Sequence, residues 1–451
     1  MSYLHDLPLW KVEKIMSSKK SREQIRKLEY GQVMVLFVFA TIALLGIAAL
    51  AIDGGRLYFE RRAAQGASDD AAMTGALAIL KGYSASEIDT IVLNRAKENG
   101  FDNDLEEVTV EVNWPPVPPN PYAGNANYIQ VFITSEIPPL LTHFVYKGPL
   151  QMTVEAIGQV RPTGSIVPGY AIYGTNENAC RTVEFSGNPF VVVTGGGSIG
   201  SNSTAECPCG SLVSGGNFSI DVFGGGEITT VGCWNNNGTS GGIDPEPTEG
   251  VDPINMNEIR ASIPIPDCGL LTTDYHMQTF SGTVTIEPGY YESMKFTAGA
   301  DVTMKPGMYC IYGDDPWIME MAGSTTIFGD GIMIYLMSTA GSWKTTAGSN
   351  ITLKASTDLV DASGNQWAGM LIYSHPDNSN QIVLTGTSNS TYVGSVYGLS
   401  SYCVLEGTSG GVATNTQVIC DRVEVGGTGD LDVEYKEGEV YQVPPALNLS
   451  K

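Results

Sequence analysis

The stretch GQVMVLFVFATIALLGIAALAI, Gly31 to Ile52, decides how the rest of the chain is read. It carries no charged residue and runs straight into DGGRLYFERRAAQGASDDAAMTGALAIL, residues 53–80. As a helix, the apolar run rises roughly 33 Å, enough to cross a hydrocarbon core of about 30 Å. The apolar core of a signal peptide is shorter and ends in small residues before a cut. Here no A-x-A pattern lies close behind, so the sequence predicts an uncleaved transmembrane helix.

Working outward, Lys11, Lys14, Lys19, Lys20, Arg22, Arg26 and Lys27 precede the span, against Asp6, Glu13, Glu23 and Glu29. Three basic residues, Arg56, Arg61 and Arg62, follow it closely. Basic residues beside a first span stay cytoplasmic, so the N-terminus is expected inside and the acidic bulk outside. Charged residues are few, but that bulk is strongly acidic: residues 1–30 sum to +3, and the whole chain is −24. A nucleic-acid surface needs clustered Lys and Arg, and outside residues 11–27 there is no such cluster. The eight cysteines, Cys180, Cys207, Cys209, Cys233, Cys268, Cys310, Cys403 and Cys420, all lie in the part read as exported. That compartment favours disulfides. Cys403 and Cys420 are close enough in sequence to pair across stacked strands. Cys207-Pro208-Cys209 lacks zinc spacing and has no histidine nearby, so no metal and no cofactor is expected.

Beyond the span, Ala64, Ala67, Ala71, Gly75 and Ala78 recur every three or four residues, a small-residue stripe on a helix. Such a stripe packs closely against a partner helix or against its own domain, and the sequence does not choose. Ser68 falls toward its edge. Residues 81–163 read as an α+β unit. A helix runs from Ser86, its cap, to Gly100. A strand follows at Val108–Trp114, then a proline loop, a second strand in NYIQVFITSEI, a short helix in PPLLTHFVY and a third strand in LQMTVEAIGQV. From Thr163 the chain turns to Gly, Ser, Thr and Asn with short apolar alternations. FTAGADVTMKPGMYCIYG, EMAGSTTIFGDGIMIYL and TTAGSNITLKAS repeat one phrase around Gly299, Gly323 and Gly348. Gly386 and Gly407 continue it after a wider gap that suggests one loop insertion. A period of this size marks a solenoid. The inward candidates are Val302, Met304, Ile327, Ile332, Ile334, Ile351, Leu353, Met370 and Ile372.

The phrase around the span resembles the N-terminal segment of TadE/TadG-like Flp (Tad) pilus-assembly proteins, TadG type. The matching residues are Gly31, Gln32, Asp53, Gly55, Arg56, Tyr58, Arg61, Gln65, Ala67, Asp69, Ala71, Ala72, Gly75 and Ala76. Asp70 stands where the family phrase has Ala. The PGxY turns, WAGMLIY and GSVYGLSS resemble the C-terminal part of some TadG-type proteins. Leu36 occupies the place of the prepilin glutamate. Asp361-Ala-Ser363-Gly364 departs from the D-x-S-x-S metal motif, so no von Willebrand factor A domain is expected. The resemblance implies a role among other Flp/Tad pilus proteins at the membrane, with self-association through the N-terminal helix.

The expected fold is membrane-anchored and mainly β: an N-terminal transmembrane helix, a small α+β unit and a C-terminal right-handed β-helix-like solenoid. Its divisions are a cytoplasmic basic segment 1–30, the span and its helical extension 31–80, the α+β domain 81–163, the Gly/Ser/Thr-rich domain 164–440 and a tail 441–451. The function expected is non-enzymatic: a component of a Flp/Tad-type pilus assembly or secretion system. A surface adhesin of the same architecture is an alternative, and so is a β-helical carbohydrate-active enzyme. For the enzyme, paired carboxylates are needed. Asp314 with Asp315, and Asp274 near His276, resemble ordinary loop acids. His143 reads as packed in an apolar helix, His375-Pro376-Asp377 as a turn, and His5 has no motif around it.

Overall fold

The computed structural model describes residues 9–144, 146–314, 317–346, 348–407, 412–427 and 429–450. The chain is mainly β and divides into two units, residues 1–161 with 446–451, and residues 162–445.

In the first unit one helix runs Leu9–Leu80. From Val33 to Ile52 its large apolar side chains are exposed. Among the described residues it is the one helix long and apolar enough to cross a membrane. Beyond Asp53 it becomes amphipathic. Ala64, Ala67, Ala71, Ala72, Ala76 and Ala78 are all buried, packed with Ile88, Val92, Ile129, Val131, Ile133, Met152, Val154 and Ala156. The small-residue stripe is therefore seated on its own domain rather than on a partner. Ser68 is not at an edge: it is fully buried, and its hydroxyl donates to the Val131 carbonyl at 2.9 Å.

The seat is an antiparallel sheet of Val108–Asn113, Tyr128–Ile137, Leu150–Arg161 and Ala446–Ser450. Alternation puts Ile129, Val131 and Ile133 of one strand, and Met152, Val154 and Ala156 of the next, under the helix. Two glycines set the approach. A Cβ on Gly158 would lie 2.4 Å from the Ala72 carbonyl oxygen. One on Gly75 would lie 2.7 Å from Ile129 Cδ1 and 2.8 Å from Val92 Cγ2. The second helix, Ala85–Glu98, is capped by Ser84, not Ser86; the Ser84 N–H and hydroxyl both donate to the Glu87 carboxylate. The segment read as a tail is structured. Ala446–Ser450 is the fourth strand, and Tyr441 is buried in the second unit.

The second unit is built from short parallel strands whose residues fall in register, tier upon tier. One ladder runs Tyr309, Ile334, Ile372, Val396, Val418, Ile172, Ile199 and Ile228. Every member is buried in one apolar core. The next residue of each strand points the other way and forms a second ladder, Cys310, Tyr335, Tyr373, Tyr397, Ile419 and Tyr173. Met256, Ile263 and Cys268, from the segment that links Thr248–Glu249 to Met277–Phe280, cover that ladder. The order of tiers is not the order of the chain. Tyr170–Gly174, the first of these strands in sequence, pairs with Val412–Gly427, near the last.

Val302, Ile327 and Ile351 stack in register, and Met304 and Leu353 flank Gly329. All the inward candidates are buried, but Met370 belongs to the second core with the tyrosines. The repeated turn takes left-handed backbone at Gly299, Ser324 and Gly348, with φ of 75°, 65° and 87°. Phe296 pairs with Met321, and the turn falls three residues after each, at Gly299 and Ser324, so Gly323 sits one place before the turn. The wider gap after Gly348 holds a loop closed on Asp361. That carboxylate accepts from the Ser363 and Asn365 N–H groups, the Asp267 N–H, the Asn365 side chain and the Trp367 indole. All eight cysteines are bonded: Cys180–Cys209, Cys207–Cys233, Cys268–Cys310 and Cys403–Cys420.

Candidate functional site

Asp53 is the first residue after the apolar run, and only 2% of it is exposed. Its carboxylate accepts the backbone N–H groups of Leu140 at 3.0 Å, Leu141 at 2.9 Å and Thr142 at 2.7 Å, and the Thr142 hydroxyl at 2.7 Å. Pro138 and Pro139 have no N–H to give, so donation starts at Leu140. Three successive amides then converge on one carboxylate. The Thr142 N–H first, against the cost of burial, and then its hydroxyl and the other two amides hold the Asp53 carboxyl well below the usual carboxylate range. Arg56 donates to the Pro138 carbonyl at 3.3 Å and lies 3.9 Å from Asp53.

Further along the helix, the polar side chains continue the attachment. Ser135 donates to Glu60 at 3.2 Å. Gln65 donates to Asp69 at 2.8 Å and to the Glu155 carbonyl at 3.1 Å. Asp70 is paired with Arg95 at 2.7 Å and accepts from the Asn99 amide at 2.9 Å. Asp69 and Asp70 are thus both partnered. A shallow groove beside Asp53 is lined by Ala51, Ile52, Gly55, Arg56, Phe59, Glu60 and Ile137.

The structure brings Asp53, Arg56, Gln65, Ala71 and Gly75 onto this one seam. Gly55, Tyr58 and Arg61 stay on the exposed side of the helix. Gly31 and Gln32 fall within the helix, but their side chains lie outside the described residues. The segment from Pro138, read as the start of a short helix, is a loop that reaches one 3₁₀ turn at Thr142–Phe144, and sequence reasoning missed its contact with Asp53. It also placed His143 wrongly: the side chain is exposed, with Nδ1 2.8 Å from the Leu140 carbonyl.

Of the carboxylates weighed for catalysis, Asp274 and Asp314 each serve a local hydrogen bond. Asp274 accepts the His276 N–H at 2.8 Å in an exposed turn, and Asp314 accepts from Ser338 at 2.6 Å. Asp315 and His5 lie outside the described residues. His375 opens a turn, its carbonyl accepting from the Asn378 N–H at 2.8 Å. Among the described residues no group of three or more His, Cys, Asp or Glu is placed to hold a metal ion.

The seam and the apolar run before it together form the segment whose likeness to known proteins can be tested. Residues 31–78 match the Tad family, Flp pilus-assembly TadE/G-like. No curated protein and no solved structure matches the chain. The Tad segment thus begins at the candidate span and ends where the helix leaves its sheet. It includes every helical residue of the seam, from Asp53 to Ala78.

Proposed function

We propose that this protein is a non-enzymatic component of a Flp/Tad-type pilus assembly or secretion system. It is held in the cell membrane by a single pass, with its N-terminus in the cytoplasm and both folded units outside. The observation that carries this reading is the coincidence, over residues 31–78, of the Tad match with a helix that leaves a candidate span and locks onto its own sheet through Asp53. The excess of basic residues ahead of the span supports the orientation.

The second unit is, in this reading, a right-handed β-helix-like solenoid that the anchor presents outside the cell. The register supports it: each tier returns the chain to the same column, and parallel crossovers are right-handed in about 98% of cases. Its surface is the part offered to other pilus proteins. The stripe at 64–78 is already occupied, so contact between spans is left to the apolar run at 31–52.

The experiment is fractionation. Cells are sheared, and pili, membranes and supernatant are probed for the protein, with pilus number counted in a deletion strain. The reading expects membrane or pilus recovery and a loss of pili on deletion. Unchanged pilus number and secretion in the deletion strain would sink it.

A further inference from the structure

Asp53 ties a second piece of chain to the membrane-proximal end of the helix. Its carboxylate sits within hydrogen-bond reach of the backbone at Leu140, Leu141 and Thr142. Tyr146 is held one turn away, its N–H donating to the Thr142 carbonyl at 2.8 Å. Leu140 is 55% exposed and Tyr146 51% exposed, and Lys147 beside them is exposed too. On the helix, Tyr58 and Phe59 are exposed. They lie roughly 9–10.5 Å past the end of the apolar run at 1.5 Å per residue.

We infer that Leu140 and Tyr146 form a collar that rests in the outer headgroup layer of the bilayer, with Tyr58 and Phe59 at its outer edge. The inference depends on the reading of Gly31–Ile52 as a membrane span. The headgroup layer is about 5–8 Å thick on each side, and Asp53, the first residue past the apolar run, ties the loop to its inner edge. The chemistry fits lipid. Tyrosine rings favour this layer, and a lysine beside them lets its ammonium reach phosphate while its stem covers apolar surface. Two exposed aromatic residues on the helix and two large apolar residues on the loop would otherwise stand in water at the one place where a bilayer is already present. The Asp53 contact makes the collar a fixed part of the fold, so the span cannot tilt freely against the sheet.

The test uses the full-length chain in phosphatidylcholine–phosphatidylglycerol nanodiscs. All eight native cysteines are bonded, so a single added cysteine takes an environment-sensitive fluorophore. Leu140→Cys and Tyr146→Cys are compared with Lys81→Cys, roughly 42 Å further along the chain direction of the helix. Headgroup spin-labelled lipid is expected to quench the labels at 140 and 146 by about twofold and to leave the label at 81 unchanged. Equal, weak quenching at all three positions overturns the collar. So does blue-shifted emission at 140 without lipid quenching, which means that protein covers the loop. Carbonate extraction of the unlabelled protein from cell membranes separates the two readings. Retention with unquenched labels removes the collar alone, whereas release removes the anchor and the collar with it.

Discussion

Gly158→Ala is the sharpest probe of how the long helix is seated. The added Cβ would stand 2.4 Å from the Ala72 carbonyl oxygen, a backbone atom in mid-helix. Neither partner can turn aside, so the helix or the strand must move. Overpacking costs about 1–3 kcal/mol, and a clash with backbone belongs at the upper end. Replacing a strand glycine by alanine returns about 0.5–1 kcal/mol of chain entropy. The net expectation is a loss of about 2 kcal/mol. Gly75→Ala is the companion. Its Cβ would meet two methyl groups, Ile129 Cδ1 at 2.7 Å and Val92 Cγ2 at 2.8 Å. Side-chain rotation relieves part of that, and helix propensity returns about 1 kcal/mol. The two nearly cancel. Hydrogen exchange in the full-length protein, read on peptides covering 57–80 and 150–161, checks the pair. Gly158→Ala should speed the slow amides about 30-fold, since tenfold corresponds to about 1.4 kcal/mol, and Gly75→Ala by no more than a few-fold. If Gly158→Ala exchanges like the parent protein, the helix is not seated there and the argument fails.

Ala71→Leu should destabilise the first unit by about 1–3 kcal/mol, and Ser68→Leu at least as much, because it also strips Val131 of its donor; thermal unfolding that leaves Ser68→Leu unchanged refutes the burial of that side. Burial alone would raise the Asp361 carboxyl, but hydrogen bonds from Asn365, the Trp367 indole and the Asn365 and Asp267 amides outweigh it and hold the group below its ordinary value. Its contribution is therefore complete above the unfolded value of about 3.9 and is lost as pH falls through the lower folded one. Near-ultraviolet dichroism of the buried Trp367 should change over that acid range and be insensitive to it in Asp361→Asn; a parent signal flat down to pH 2 contradicts this. Removing the Cys268–Cys310 bond, which spans 42 residues, should cost about 4 kcal/mol by loop closure. It should also raise exchange across 251–276, and unchanged protection there would show that the segment needs no staple.

Much of the fold was legible where the signal is local. The candidate span is set by composition. The strands of the first unit are set by alternation, as in VTVEVN and YIQVFITSEI, and the inward residues of the repeats by the same period. What escaped depends on partners far along the chain. The cradle around Asp53 is made of backbone N–H groups, which every residue but proline carries, so no side-chain pattern marks it. Ser84 and Ser86 are equally good caps, and only the reach of Glu87 chose between them. Ser324 took the turn because Gly323 stands one place early in its tier, which shifted the apparent glycine repeat. Nothing near Ile172 announces that Val418 will lie beside it.

That last pairing governs how load passes through the molecule. The chain enters the second unit near Pro162 and leaves it near Pro445, and its first and last tiers are neighbours inside the stack. On the other side, Arg161 and Ala446 are paired in the first unit's sheet. A pull passed along the long helix is therefore shared by two strands rather than borne by one. Cutting either connection leaves the other intact. The strands at the two ends of the ladder, Thr248–Glu249 and Met277–Phe280, hold neither terminus of the unit and lie off the path between its two connections.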